Sequence, residues 1–198
     1  MGKPHAERKI EIIESALSLA AEQGVKRVST QAIADRVGIA QSTIFRHFKT
    51  RDAIFAASIE WLAERLFQTI DQYFTSKEPA AQRLEKLIRK QLLFVSGHKG
   101  LPRLIFSDRL HLESPVLKKA VQTIVNRYTA KLTSLVSAGI ESGDFKQDLD
   151  ADKTARYIAA LLHGMVLRWS LFDFDFKLED EANSIIEFIN KTLLTHPK

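Results

Sequence analysis

Apolar residues recur at three- and four-residue spacing along almost the whole chain, and this period restricts the fold more than any other feature. Such spacing gives each helix of 3.6 residues per turn one apolar stripe. Alternation over a strand's length occurs only at 172–176, where Phe172, Phe174 and Phe176 alternate with Asp173 and Asp175. That segment reads as a loop whose rings cover an apolar edge, with a short strand as the alternative. Most Gly and Pro residues fall at the breaks between periodic runs rather than inside them. The expected fold class is all-α.

Residues 8–23 place Ile10, Ile13, Ala16, Leu17 and Ala20 on one face, and Gly24 stops the run. Residues 30–37 and 42–48 form two short helices around Gly38. A longer helix follows from about Asp52 to Phe74, with Phe55, Ile59, Leu62, Leu66, Ile70 and Tyr73 as its stripe. Pro79 opens the next helix, which ends near Gly97, and Pro102 opens a short one. Ser114 caps a helix that starts at Pro115 and runs to about Ile140. Two more cover about 152–171 and 179–194. No repeat or low-complexity linker divides the chain. One boundary reads near residue 50, giving a module at 1–50 and a larger helical part at 51–198.

With 45% hydrophobic and 27% charged residues, the 198-residue chain has the composition of a globular protein with one sizeable core, or a small module fused to a larger one. The absence of cysteine excludes disulfides and thiolate chemistry. The net charge of +5 is unevenly spread: residues 1–52 hold nine Lys/Arg and six Asp/Glu, the rest twenty and eighteen. This excess in the first quarter favours a polyanionic partner. The opening MGKPHAERK lacks the apolar core of a signal peptide. The longest apolar run, IAALLHGMVL at 158–167, is about half the length that spans a bilayer. A cytoplasmic protein without a membrane span is expected.

The stretch IADRVGIAQSTIFRHF, residues 33–48, concentrates the chemistry. Two helices joined by a tight turn containing Gly describe a helix-turn-helix. Ile33 and Val37 lie four apart, as do Ile44 and Phe48, so each short helix gains one apolar stripe. Ser42 reads as the N-cap of the second helix. With Ile44, Phe45 and Phe48 turned inward, Gln41, Ser42, Thr43, Arg46 and His47 face out. Such a surface suits a DNA major groove: Arg pairs with guanine, Gln with adenine, and Ser or Thr reaches phosphate or base. The plainer alternative is a helical hairpin with a wet outer face.

Residues 33–55, IADRVGIAQSTIFRHFKTRDAIF, resemble the DNA-binding signature of TetR-family transcriptional regulators. The matching positions are Ile33-Ala34, Gly38, Thr43, Phe45, His47-Phe48 and Arg51. Two depart from the pattern: Phe45 stands where the family has Tyr, and Arg51 where it has Lys. Phe45 lacks a hydroxyl for phosphate, whereas Arg51 keeps the charge. The resemblance implies phosphate contacts from Thr30, Thr43, His47 and Arg51, and base readout by Gln41, Ser42 and Arg46.

In residues 51–198, the run from Ile158 to Leu167 is apolar on nearly every side, so it is expected to be buried on more than one face. A second copy of the chain is one way to cover it, a large monomeric core the other. The resemblance implies a homodimer built on the last two long helices, whose symmetry suits a palindromic double-stranded operator. It also implies a small-molecule pocket among the C-terminal helices. Candidate lining residues are Trp61, Phe94, Phe106, Tyr128, His163 and Trp169, which favour a hydrophobic or aromatic effector; ordinary core packing is the alternative for each. His98, His111 and His163 lack metal-ligand spacing, and neither a catalytic Ser/His/Asp grouping nor a Gly-rich phosphate loop is present. No cofactor, metal site or catalytic residue is expected. The expected function is a dimeric, ligand-released repressor. The rivals are an architectural DNA-binding protein of the same fold, and a helical binding protein or enzyme with a vestigial helix-turn-helix.

Overall fold

A computed structural model describes residues 4–194. Nine α-helices span these residues: α1 His5–Gln23, α2 Thr30–Val37, α3 Gln41–His47, α4 Arg51–Thr75, α5 Ala80–Ser96, α6 Gly100–Ile105, α7 Pro115–Glu141, α8 Ala151–Leu171 and α9 Ala182–Leu193. The described residues contain no strand, only an isolated bridge between Phe145 and Leu194. The chain forms two compact units, Met1–Glu64 with His98–Thr123 and Arg65–Gly97 with Ile124–Lys198.

In the first unit, α1 buries Ile12, Ile13, Ala16, Leu17, Leu19 and Ala20. Ile10, expected on this face, is 39% exposed. It lies about 100° around the helix from the centre of the buried stripe, and Ile12 fills the core instead. Ser29 caps α2 by accepting from Ala32 N at 3.0 Å. Gly38, at φ 74°, ends that helix. Its N–H bonds Asp35 O, and Ile39 N bonds Ala34 O, so the chain reverses within two residues. Arg36 ties α2 to α1 through a two-pronged pair with Glu22 at 2.6 and 2.9 Å and a bond to Ser18. Thr50 caps α4 through Ala53 N.

Helix α6 lies against α1 so closely that a Cβ at Gly100 would stand 2.2 Å from the carbonyl oxygen of Leu17. Only glycine fits there. One turn of π-helix, Arg109–Glu113, follows α6.

In the second unit, α5 buries Leu84, Leu87, Ile88, Leu92 and Val95. Asp144 accepts from the α5 amide of Ala80 at 2.7 Å. Buried Arg83 donates Nη1 to the carbonyls of Phe74 and Ser76, satisfying the end of α4. Phe145 is fully buried, packed against Gly139. After α8 the chain turns through Asp173 and Phe174, both at positive φ, so residues 172–176 are a loop and not a strand. Phe174 meets Trp169 edge to face, and Trp169 Nε1 donates to Phe176 O at 2.8 Å. Phe174 thus covers Trp169, whereas Phe172, expected to do the same, is 49% exposed.

Candidate nucleic-acid interface

Helix α3 has only seven residues, and its buried side is narrow. Ile44 is fully buried and Phe48 is 8% exposed, as their four-residue spacing requires. Phe45, expected to turn inward with them, is 42% exposed. One residue is about 100° of rotation, so the stripe that buries Ile44 and Phe48 carries Phe45 outward. The second correction concerns Ser42. The helix starts at Gln41 and its N-cap is Ala40, without a side-chain bond. The N-cap therefore lies two residues before the one the sequence pattern suggests, which leaves Ser42 exposed in the first turn.

Gln41 Nε2 donates to Thr30 Oγ1 at 2.8 Å, so the first residues of α2 and α3 hold each other. Ser42 and Arg46 are exposed, and Thr43 is half-buried beside them. Arg51, at the start of α4, gives one guanidinium donor to Val28 O at 2.9 Å, which ties the end of its side chain to the backbone just before α2. Gln41 and Arg51 are thus held by hydrogen bonds, while Ser42, Phe45 and Arg46 meet solvent.

His47 is half-buried, and its ring faces that of His5 on α1, with centroids 4.3 Å apart and planes 32° apart. Nδ1 of His47 is enclosed and has no hydrogen-bond partner. Burial holds the His47 pKa below the ordinary histidine value, and His5, Arg46, Lys9 and Arg8 add to the depression. Lys9 Nζ also lies 5.6 Å from the ring centre of Phe48. His5 carries no sequence signal for this role: it lies outside the helix-turn-helix and far from His47 in the chain.

The six C-terminal candidates have different surroundings. Tyr128 and His163 come together, with ring centroids 6.3 Å apart. Tyr128 is 4% exposed and its hydroxyl donates to buried Gln91 Oε1 at 2.5 Å. Burial lowers the His163 pKa. Trp169 is buried under the 172–176 loop, and Phe94 is half-buried on α5. Trp61 and Phe106 are half-buried side chains of the first unit. Gln91, the polar partner of Tyr128, escaped the sequence reading because it lies among the charged and polar residues of an amphipathic helix. A groove of about 330 Å³ between α8 and α9 is lined by Tyr157, Leu161, Phe188 and Thr192, among others. A second, more polar one of about 630 Å³ lies between α5 and α9.

A short α2–α3 pair crossing at a glycine turn, with an exposed polar edge on its second helix, defines a helix-turn-helix DNA-binding protein. Residues 12–58 match the family of bacterial regulatory proteins called tetR, and residues 77–169 match the tetracyclin repressor-like C-terminal domain. The chain belongs to the TetR family, and it is a DNA-binding transcriptional regulator. It is similar to the fatty acid metabolism regulator protein of Bacillus subtilis, 23% identical over 180 residues that span 91% of this chain and 92% of the relative. It is also similar to the nucleoid occlusion factor SlmA of a Marinomonas species, 23% identical over 181 residues, 89% of this chain and 90% of that one. Its fold matches the crystal structure of the transcriptional regulator FadR from Bacillus subtilis in complex with stearoyl-CoA, with a TM-score of 0.77 and 24% identity, covering 91% of this chain and 96% of that one. Among the described residues no helix is long and apolar enough to cross a membrane.

Proposed function

We propose that the protein is a homodimeric repressor that reads a palindromic operator and leaves it when a small hydrophobic effector binds. Residues 1–50 act as the DNA-binding module and residues 51–198 as the effector-binding and dimerisation part. Gln41, Ser42 and Arg46 read base edges, while Thr30, Thr43, His47 and Arg51 hold phosphates. The observation that carries this reading is the exposed Ser42–Arg46 edge on a short helix whose other side is locked by Ile44 and Phe48.

Support for the dimer comes from α8 and α9, whose Tyr157 is 71%, Leu171 70% and Phe188 62% exposed. Apolar surface of that size on consecutive helices favours association. Support for an effector site comes from the buried polar Tyr128–Gln91 pair beside His163 in the second unit. The stearoyl-CoA held by the Bacillus subtilis neighbour makes long-chain acyl thioesters the first compounds to test. The effector acts by preferring one arrangement of the recognition helices, and a decisive release takes about 5 kcal/mol of differential affinity.

A second reading, an architectural DNA-binding role, draws on the similarity to the nucleoid occlusion factor. Genome-wide mapping of bound sites separates the two. A few palindromic sites near promoters, vacated when an acyl thioester is added to the purified complex, support the repressor. Many dispersed sites that no such compound vacates support the architectural role.

A further inference from the structure

We propose that His5 and His47 together form one proton-linked site for a DNA backbone phosphate, with His5 a DNA-affinity residue outside the helix-turn-helix. The inference rests on the reading that α3 meets DNA, and deepens it.

The two imidazoles face each other at 4.3 Å, one at the start of α1 and the other at the end of α3. The charged groups acting on His47 are His5, Arg8 and Lys9 from α1 and Arg46 from α3. Of these, Arg8 pairs with Glu11 at 2.8 Å. Among the described residues, no carboxylate is one of the groups that act on His47 itself. The enclosed Nδ1 of His47 leaves one buried polar atom unsatisfied.

Burial and the neighbouring cations keep a proton off His47 until an anion arrives. A phosphate oxygen supplies that anion and accepts from the protonated ring. Phosphate binding and proton uptake are then linked, because the bound state holds more protons than the free one. The His47 pKa is depressed in the free protein and rises on the phosphate, so affinity grows as pH falls from 8 towards 6. With one extra proton taken up, the limit is about tenfold in affinity per pH unit. His5 contributes as the second imidazole that faces the same phosphate.

The test is titration of the full chain with a random-sequence DNA duplex at pH 6, 7 and 8 and constant ionic strength, since a phosphate contact needs no particular sequence. The proteins compared are wild type, His5→Ala and His5→Lys. His5 is exposed, so neither change disturbs the core. Wild type is expected to tighten severalfold from pH 8 to pH 6, and His5→Ala to lose most of that gain. His5→Lys, with a charge that does not titrate in this range, restores affinity at pH 8 with a flatter profile. Equal pH slopes in wild type and His5→Ala would overturn the proposal while leaving the helix-turn-helix reading in place. Absence of DNA binding at every pH would overturn both.

Discussion

Arg109 holds Asp52 with two donors: Nε and Nη2 lie 2.7 and 2.6 Å from the same carboxylate oxygen. Its third nitrogen, Nη1, reaches Glu113 at 3.0 Å. Asp52 occupies the first turn of α4, where a negative charge is also favoured by the helix dipole. Arg109 sits in the single π-helical turn that follows α6. The pair therefore fastens the start of α4 to this turn.

Both side chains are about a quarter exposed, so the pair is screened less than a surface bridge. Arg109→Ala should cost about 1–2 kcal/mol of stability. Arg109→Lys should recover little, because an ammonium lacks the fork. A double-mutant cycle with Asp52→Ala, read by urea denaturation, should give a coupling of about 1 kcal/mol. A coupling near zero would mean that the pair is incidental.

Gly100 makes a sharper prediction. A methyl group there collides with the Leu17 backbone, which has no flexible end to yield. Gly100→Ala should cost at least about 2 kcal/mol, despite the better helix propensity of alanine. Denaturation midpoints of the two proteins decide it, and an equal or higher midpoint for the alanine variant would contradict this packing.

Buried Tyr128 and Gln91 form the polar contact whose loss should be felt most in the second unit. Tyr128→Phe strands Gln91 Oε1 and should cost about 1–3 kcal/mol, while adding Gln91→Met should return part of it. Burial also raises the Tyr128 pKa above the ordinary tyrosine value. Stability from the neutral hydroxyl is therefore complete below about pH 10 and declines as pH rises through the alkaline range. Wild type should lose stability more steeply there than Tyr128→Phe.

The exposed rings of α8 and α9 give a prediction about assembly. Tyr157→Glu combined with Phe188→Glu should yield a folded monomer by sedimentation velocity, with unchanged helicity. Both side chains are largely solvent-exposed in the single chain, so a folding defect is not expected. A dimer that persists would move the interface elsewhere.

Helix positions and most caps were legible because they depend on local spacing. Pro115, Gly24 and Gly38 mark ends as their chemistry requires. The face of α3 was harder to read, since seven residues carry two overlapping apolar pairs and only packing decides which is buried. Ile44 and Phe48 win that contest, and Phe45 turns to solvent. Ser42 is a good cap by type, but the turn closes at Ala40. The His5–His47 pair, the Gly100–Leu17 approach and the Arg109–Asp52 bridge join residues far apart in the chain. Nothing local in the sequence distinguishes these residues from ordinary surface or helix positions.

Readout by Arg46 is the central claim. Arg46→Ala should lose about 1–3 kcal/mol at specific sites and much less on random DNA, if the guanidinium pairs with guanine. Selection of bound sequences from a random duplex pool at near-physiological salt, with Arg46→Ala in parallel, tests this most directly. Wild type should enrich a palindrome, with the preference at one position in each half-site relaxed or lost in the variant. Enrichment of no sequence by wild type, or of the same palindrome with undiminished preference by Arg46→Ala, would contradict it.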